Sequence, residues 1–234
     1  MSTAPTNRPT TGWTLAVDTS DIIAVGLARD GQAIASEHVG DSHSHVELLA
    51  PAIEGLLGRA GIGWEDLAAI GVGVGPGPFT GLRVGIATAI TAGLAAALPV
   101  KGVCGLDVIA AQWAASGAPG EFVVASDARR RELYWAGYRD GRCSDDPQVS
   151  APTALPDLPT AGPGVGVYPE LLAARCPPGA PTGLDAGFLA AHLHELPEAG
   201  LEPLYLRRPD AELPSARKTA LGGRHRRLQP GAGR

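Results

Sequence analysis

Gly75–Leu98 reads GPGPFTGLRVGIATAITAGLAAAL. Its opening, Gly75-Pro76-Gly77-Pro78, is a stiff turn, because glycine takes positive φ and proline fixes φ at about −65°. Thr80, after Phe79, is the expected N-cap, with a hydroxyl that accepts a backbone N–H. No charge falls between Arg83 and Lys101. The run predicts a helix to about Leu98, stopped by Pro99.

Two rows run along that helix. Gly81, Gly85, Ala89, Gly93 and Ala97 recur every four residues, and Leu82, Ile86, Ile90, Leu94 and Leu98 run beside them. A row of small side chains at i±4 is a groove and the adjacent row a ridge. Each glycine costs about 1 kcal/mol of helix propensity against alanine, so a closely packed neighbour is expected along the groove. That neighbour is either this chain's own core or a helix of another protein.

Upstream, Trp13–Val17 reads as a buried strand ending at Asp18-Thr19-Ser20. Ile22–Arg29 and Gln32–Val39 follow as strands, joined by the hairpin signal Asp30-Gly31. A helix capped by Ser42 or Ser44 is expected to run to about Ala60. Val46, Leu49, Ile53, Leu56 and Ala60 form its apolar seam, while Leu48, Ala52 and Leu57 add apolar surface off it. Such a helix is buried on more than one side, and Pro51 is expected to kink it. Trp64–Leu67 is a connector, and Ala68–Val74 a strand that enters the Gly75 turn. Pro99–Val103 then reads as a strand and Leu106–Ala115 as a helix.

The second half restarts with strands Glu121–Ala125 and Glu132–Tyr138 around an Asp127–Arg131 turn, with a second hairpin signal at Asp140-Gly141. Val149–Pro181 is rich in Pro, Ala and Gly. Asp185–Leu196 predicts a helix and Pro203–Arg207 a last strand. The expected organisation is a disordered leader at 1–11, lobes at 12–116 and 117–208, and a disordered tail at 209–234. That tail carries six basic residues against Asp210 and Glu212.

The 234 residues carry a formal charge of −5, which argues against wholesale wrapping of nucleic acid but allows a local basic patch. Cys104, Cys143 and Cys176 have no metal-finger spacing and fit a reducing cytoplasm. The start has no apolar signal core. The uncharged run Val84–Val100 is short for a membrane span and rich in small residues, so a buried helix is expected and no membrane contact. His38, His43 and His45, with Asp41, invite a metal reading. On a helix, however, an i,i+2 spacing points His43 and His45 apart, whereas a zinc pair uses i,i+4. No metal site is expected.

Five stretches together resemble one family: Leu15–Ser20 (LAVDTS), His43–Pro51 (HSHVELLAP), Gly75–Gly85 (GPGPFTGLRVG), Ser126–Ala136 (SDARRRELYWA) and Glu202–Arg207 (EPLYLR). The chain is similar to the TsaB (YeaZ) family over residues 13–208. The resemblance implies an α/β, two-lobed actin-like fold of the ribonuclease H-like class. It implies a non-catalytic subunit that supports TsaD as TsaD transfers threonylcarbamoyl to N6 of adenosine 37, in tRNAs reading codons that begin with A. It implies a TsaE-like ATPase as a further partner, tRNA contacted through the complex, and ATP and metal held by partner subunits rather than here. A homodimer is a possible state of the chain alone. The implied interface uses the first two helices, with His45, Leu48, Leu49, Ala52, Gly81, Gly85, Ala89 and Gly93 as its residues.

By the same resemblance, Asp18, Thr19, Ser20 and Asp127 occupy a vestigial nucleotide loop; read from residues alone, Asp-Thr-Ser is a weak signal and reads first as a polar turn. Three departures from the pattern matter. Pro78 stands where the family usually has serine. Asp127-Ala128-Arg129 lacks the glycine of a D-x-G phosphate loop. The paired metal histidines of TsaD are not recognisable. The competing readings are an active nucleotide-dependent enzyme of the actin-like class, holding metal and phosphate through Asp18, Thr19 and Asp127, and a metallopeptidase of the wider family.

Overall fold

The computed structural model describes residues 11–39 and 45–207. Residues 1–10 of the predicted leader, Asp41, His43, the Ser42 and Ser44 caps and the basic tail lie outside those residues. β1 (Trp13–Asp18), β2 (Ile23–Arg29) and β3 (Gln32–Val39) form an antiparallel meander. Asp30 and Gly31 both take positive φ, 52° and 78°, the two left-handed positions a tight hairpin of right-twisted strands requires. The chain continues through α1 (His45–Ala60), β4 (Leu67–Gly73), α2 (Phe79–Ala96), β5 (Val100–Val103) and α3 (Gly105–Ser116). The first sheet has the order β3-β2-β1-β4-β5, with β1–β4 and β4–β5 parallel.

Strand alternation divides this sheet into two faces. Leu15, Val17, Val25, Leu27, Ile70 and Val72 meet α1 and α2 through Leu49, Ile53, Leu56, Leu82 and Ile86. Each such fully buried side chain contributes about 1.5–3 kcal/mol of transfer free energy. The other face is cut small, at Ala16, Ala28 and Ala69, and receives Leu189, Ala190 and Leu193.

The second sheet comprises β6 (Glu121–Asp127), β7 (Leu133–Arg139), β8 (Arg142–Cys143), β9 (Gln148–Ser150) and β10 (Thr160–Ala161). Its order is β10-β6-β7-β8, and β9 pairs with β7. One face packs on α3, with the Trp113 and Phe122 ring centroids 4.7 Å apart. The other packs on Leu155, Val165 and Leu172 near the short helices α4 (Gly164–Val167) and α5 (Pro169–Leu172). The two lobes carry the mixed sheets of an actin-like fold. α3 lies between them, with Val108 in the first lobe's core and Leu106, Ile109 and Trp113 in the second's.

Four sequence expectations are corrected. Thr80 is not the N-cap of α2: Pro78 holds that position, with extended ψ of 137° and no side-chain cap, and the helix starts at Phe79. The helix expected at Asp185–Leu196 is only α6 (Ala186–Ala191), whose N-cap Asp185 accepts Gly187 N–H at 2.8 Å. α6 does not belong to the second lobe. It crosses back over the first sheet, so close to β2 that a Cβ on Gly26 would overlap the backbone of Ala186 and Gly187. A single cut after residue 116 therefore does not separate the lobes. Finally, Pro203–Arg207 forms no strand. It is part of an extended strap, tied by Ala199 N–H to Gly102 O (2.9 Å) and Leu204 N–H to Val74 O (2.8 Å).

Candidate functional site

β1 delivers Asp18 to the floor of a cleft of about 580 Å3 between the lobes. Asp18 is 3% exposed. Ser20 donates to it twice, from N–H to Oδ1 and from Oγ to Oδ2, both at 2.9 Å. Glycine at 73 makes room, since a Cβ there would overlap Asp18 Oδ2. Burial pushes the Asp18 carboxyl up to about 6, against the lowering effect of the Ser20 hydrogen bonds.

The cleft is lined by Asp18, Asp21, Asp185 and His38, together with serines and apolar side chains, and among the described residues no lysine or arginine lines it. Triphosphates are held by cations or by convergent backbone N–H groups. This lining has the opposite charge. The Gly75 turn offers few donors as well, because Pro76 and Pro78 have no N–H and Gly77 is pressed against Ser20, where a Cβ would stand 2.7 Å from Ser20 O. One wall is closed by Gln112, which donates to Gly183 O at 3.2 Å and accepts from Asp185 N–H at 3.0 Å.

Of the four residues assigned to the vestigial loop, Asp18 and Ser20 line this cleft. Thr19 does not: it is fully buried and donates to Gly81 O at 2.8 Å, tying β1 to the first turn of α2. Asp127 is held by Arg129, through Arg129 N–H at 2.7 Å and an ion pair at 3.0 Å, and is not in the lining. The residue before it, Ser126, lines the cleft instead, with a buried Oγ that has no hydrogen-bond partner among the described residues. Strand alternation on β6 is the signal that separates the two positions. His38 meets Leu184 O at 3.0 Å. Among the described residues no three His, Cys, Asp or Glu side chains are placed to hold a metal ion together.

The helical face also differs from expectation. Gly81, Gly85, Ala89 and Gly93 are all buried within this chain. A Cβ on Gly85 would overlap Thr19, and one on Gly93 would overlap Val100. The groove is occupied by the protein's own first sheet, so these four positions are not open to a partner. Leu49 and Ala52 are likewise core, at 1% and 9% exposure, and Leu48 is half-buried. His45 opens α1.

The outward surface of α2 is the next row round, Arg83, Ala87, Thr91 and Ala95, with Leu94 80% exposed. Ala87, Thr91 and Ala95 face Ala50 and Glu54 of α1 across a shallow groove of about 390 Å3 that reaches Trp64. This second row of small residues stands in the sequence with the same period as the glycine row. α2 is long and apolar enough to cross a membrane by composition alone; here its glycine face is packed on the sheet.

At the N-terminus of α2, Phe79 stacks on Tyr205 with centroids 5.0 Å apart. Arg83 lies 3.7 Å over the Phe79 ring and donates Nε–H to Tyr205 Oη at 2.9 Å. The strap ends in the second lobe, where Arg207 donates to Ala128 O at 3.0 Å and pairs with Glu132. The turn it reaches holds Arg129, Arg130 and Arg131 at φ of 60°, 52° and 63°. Left-handed backbone costs a non-glycine residue about 1–2 kcal/mol, so this turn is strained.

The family model of TsaD, tRNA N6-adenosine threonylcarbamoyltransferase, matches residues 40–162. An uncharacterized protein of Mycobacterium tuberculosis is 40% identical over 203 residues, covering 85% of this chain and 93% of that one. The tRNA threonylcarbamoyladenosine biosynthesis protein TsaB of Escherichia coli is 36% identical over 127 residues, half of this chain and 54% of that protein. The crystal structure of YeaZ from Pseudomonas aeruginosa superposes with a TM-score of 0.66 at 30% identity, covering 84% of this chain and all of that one.

Proposed function

The chain belongs to the TsaB/YeaZ family, and from that premise we propose that it is the non-catalytic partner of a TsaD-like transferase. The coarse role is a part in tRNA threonylcarbamoyladenosine biosynthesis. The finer reading is a scaffold. The chain docks the catalytic subunit through the outward groove of α1 and α2, and the complex transfers threonylcarbamoyl to N6 of the tRNA adenine. ATP and metal then belong to the partner subunits, a TsaE-like ATPase among them, and the work is cytoplasmic. Alone, the same face can pair two copies of the chain.

The observation that carries this reading is the outward row Ala87, Thr91 and Ala95 beside exposed Leu94. Small side chains on two adjacent helices let a third helix approach closely, and an exposed leucine supplies an anchor. The cleft supports the non-catalytic half of the reading, because among the described residues it lacks a side-chain cation and the Gly75 turn offers few N–H donors for a phosphate.

The test is co-purification of the full chain with the TsaD-like protein of the same cell, followed by transfer assays on unmodified tRNA. A stable pair whose activity exceeds that of either component supports the proposal. Transfer by this chain alone, with the threonylcarbamoyl donor supplied, would return it to the enzymes.

A further inference from the structure

We propose that Arg83 is the polar contact that selects the partner on the outward face: its two Nη groups grip one carboxylate of the TsaD-like subunit, at the N-terminal end of α2. The inference rests on the docking reading above and names the chemistry that the docked surface must bring.

Phe79, Arg83, Ala87, Thr91 and Ala95 follow one another at intervals of four and are all exposed, so a single row runs the length of α2. Its first two residues are unlike the rest. Phe79 is an aromatic left 37% exposed, and the Arg83 guanidinium lies 3.7 Å over its ring, a cation–π contact. Arg83 also donates Nε–H to Tyr205 Oη at 2.9 Å, while Tyr205 stacks on Phe79. Tyr205 belongs to the strap, 122 residues further along the chain. Two distant parts of the protein thus hold one exposed guanidinium in place.

That fixing uses Nε and the plane of the group. The Nη groups have no hydrogen-bond or ion-pair partner among the described residues. Paired Nη groups form a rigid fork that matches the two oxygens of a carboxylate. A fork already held in place loses less freedom on binding. Arginine and aromatic side chains are also the types that carry most of the energy of an interface.

The neighbouring helix favours a carboxylate over the phosphates of a nucleic acid. α1 exposes Glu47 and Glu54, and Glu54 lines the groove that Ala87, Thr91 and Ala95 face. Arg59, the arginine of α1, is paired with Glu37. A phosphate backbone laid along this face would meet these like charges, which is costly. A single acidic side chain set at the Arg83 end of the row pairs with the fork alone.

The probe is the purified TsaD-like partner, titrated calorimetrically with the full chain at about 50 and 200 mM salt. Arg83→Gln should weaken binding roughly ten- to a hundredfold and flatten its salt dependence. Arg83→Lys keeps the charge but not the fork, and should recover little of that loss. Tyr205→Phe keeps the stack and removes only the acceptor, and should weaken binding roughly two- to tenfold. Melting temperatures establish that each variant is folded; if Arg83→Gln is not, the loss must appear in Arg83→Lys and Tyr205→Phe. Unchanged affinity in a folded Arg83→Gln overturns the proposal, as does full affinity in Arg83→Lys, since charge alone would then suffice. The groove variant Ala87→Arg/Thr91→Arg is titrated beside them. Binding lost there but kept in Arg83→Gln leaves the docking face standing and removes Arg83 from it. Full affinity in both removes the face and the proposal together. An unmodified tRNA transcript is the last titrant: transcript binding lost in Arg83→Gln, with partner affinity intact, would make Arg83 an RNA contact and overturn the assignment.

Discussion

Thr19 Oγ lies where a Cβ on Gly85 would have to go, and the same hydroxyl donates to Gly81 O at 2.8 Å. The glycine of α2 and the threonine after β1 thus fit one another, and the helix is locked to the sheet at that point.

Gly85→Leu should accordingly damage the fold rather than a surface. Overpacking costs about 1–3 kcal/mol, and each kcal/mol lowers Tm by about 2–4 °C in a chain of this size. A thermal melt should show a drop of roughly 3–10 °C. An unchanged Tm together with weakened partner binding would place the glycine row outside after all.

At Gly26 even one methyl is too much, because backbone rather than a flexible side chain stands in its way. Gly26→Ala should lift α6 off the first sheet. Amide exchange across residues 185–196 and the melting temperature both report on it. Native protection of those amides in the variant would contradict the crossing described above.

The outward row predicts the opposite behaviour. Ala87→Arg/Thr91→Arg fills the exposed groove while leaving the buried face intact. Affinity for the TsaD-like partner should fall roughly tenfold or more, since about 1.4 kcal/mol is a factor of ten, and Tm should scarcely move. Calorimetric titration against the purified partner decides it. Full affinity in the double variant would move the interface elsewhere.

Asp18 predicts an unusual pH dependence. Its folded value, about 6, is above the ordinary 3.8, so the native state holds a proton that the unfolded chain has released. Between these values stability falls as pH rises, and above about 6 the cost is fully present. A shift of this size corresponds to about 3 kcal/mol. Asp18→Asn should therefore raise Tm at pH 7.5, gain little at pH 4, and leave transfer by the complex nearly intact. Loss of transfer with assembly preserved would mean that the carboxylate serves a metal or a nucleotide.

The hairpin at Asp30-Gly31, the ranges of α1 and α2 and the succession of strands and helices in the first lobe were legible because each is a local signal: turn chemistry or a 2- or 3.6-residue period. What was not legible depends on partners distant in sequence. An i±4 row of glycines announces a close neighbour but not which one, and here it is the side chains of Thr19, just after β1, and Val100 of β5 in the same chain. Pro203–Arg207 has strand composition, yet Leu204 N–H bonds Val74 O while Tyr205 N–H turns back to Pro203 O, and no ladder forms. Nothing in Ala186–Ala191 says which lobe it covers. The match between that small helix and Gly26, Ala16 and Ala28 becomes visible only when the first sheet is assembled. In the cleft, the motif drew attention to Asp127, while alternation on β6 turns Ser126 inward in its place.

The central claim is that this chain assists a transferase and is not one. Its most direct measurement is the initial rate of threonylcarbamoyl transfer to unmodified tRNA, with the donor supplied, in three mixtures: this chain alone, the TsaD-like partner alone, and both. The account predicts no transfer by this chain, and transfer by the pair well above that of the partner alone. Transfer by this chain alone, or a pair no faster than the partner, would contradict it.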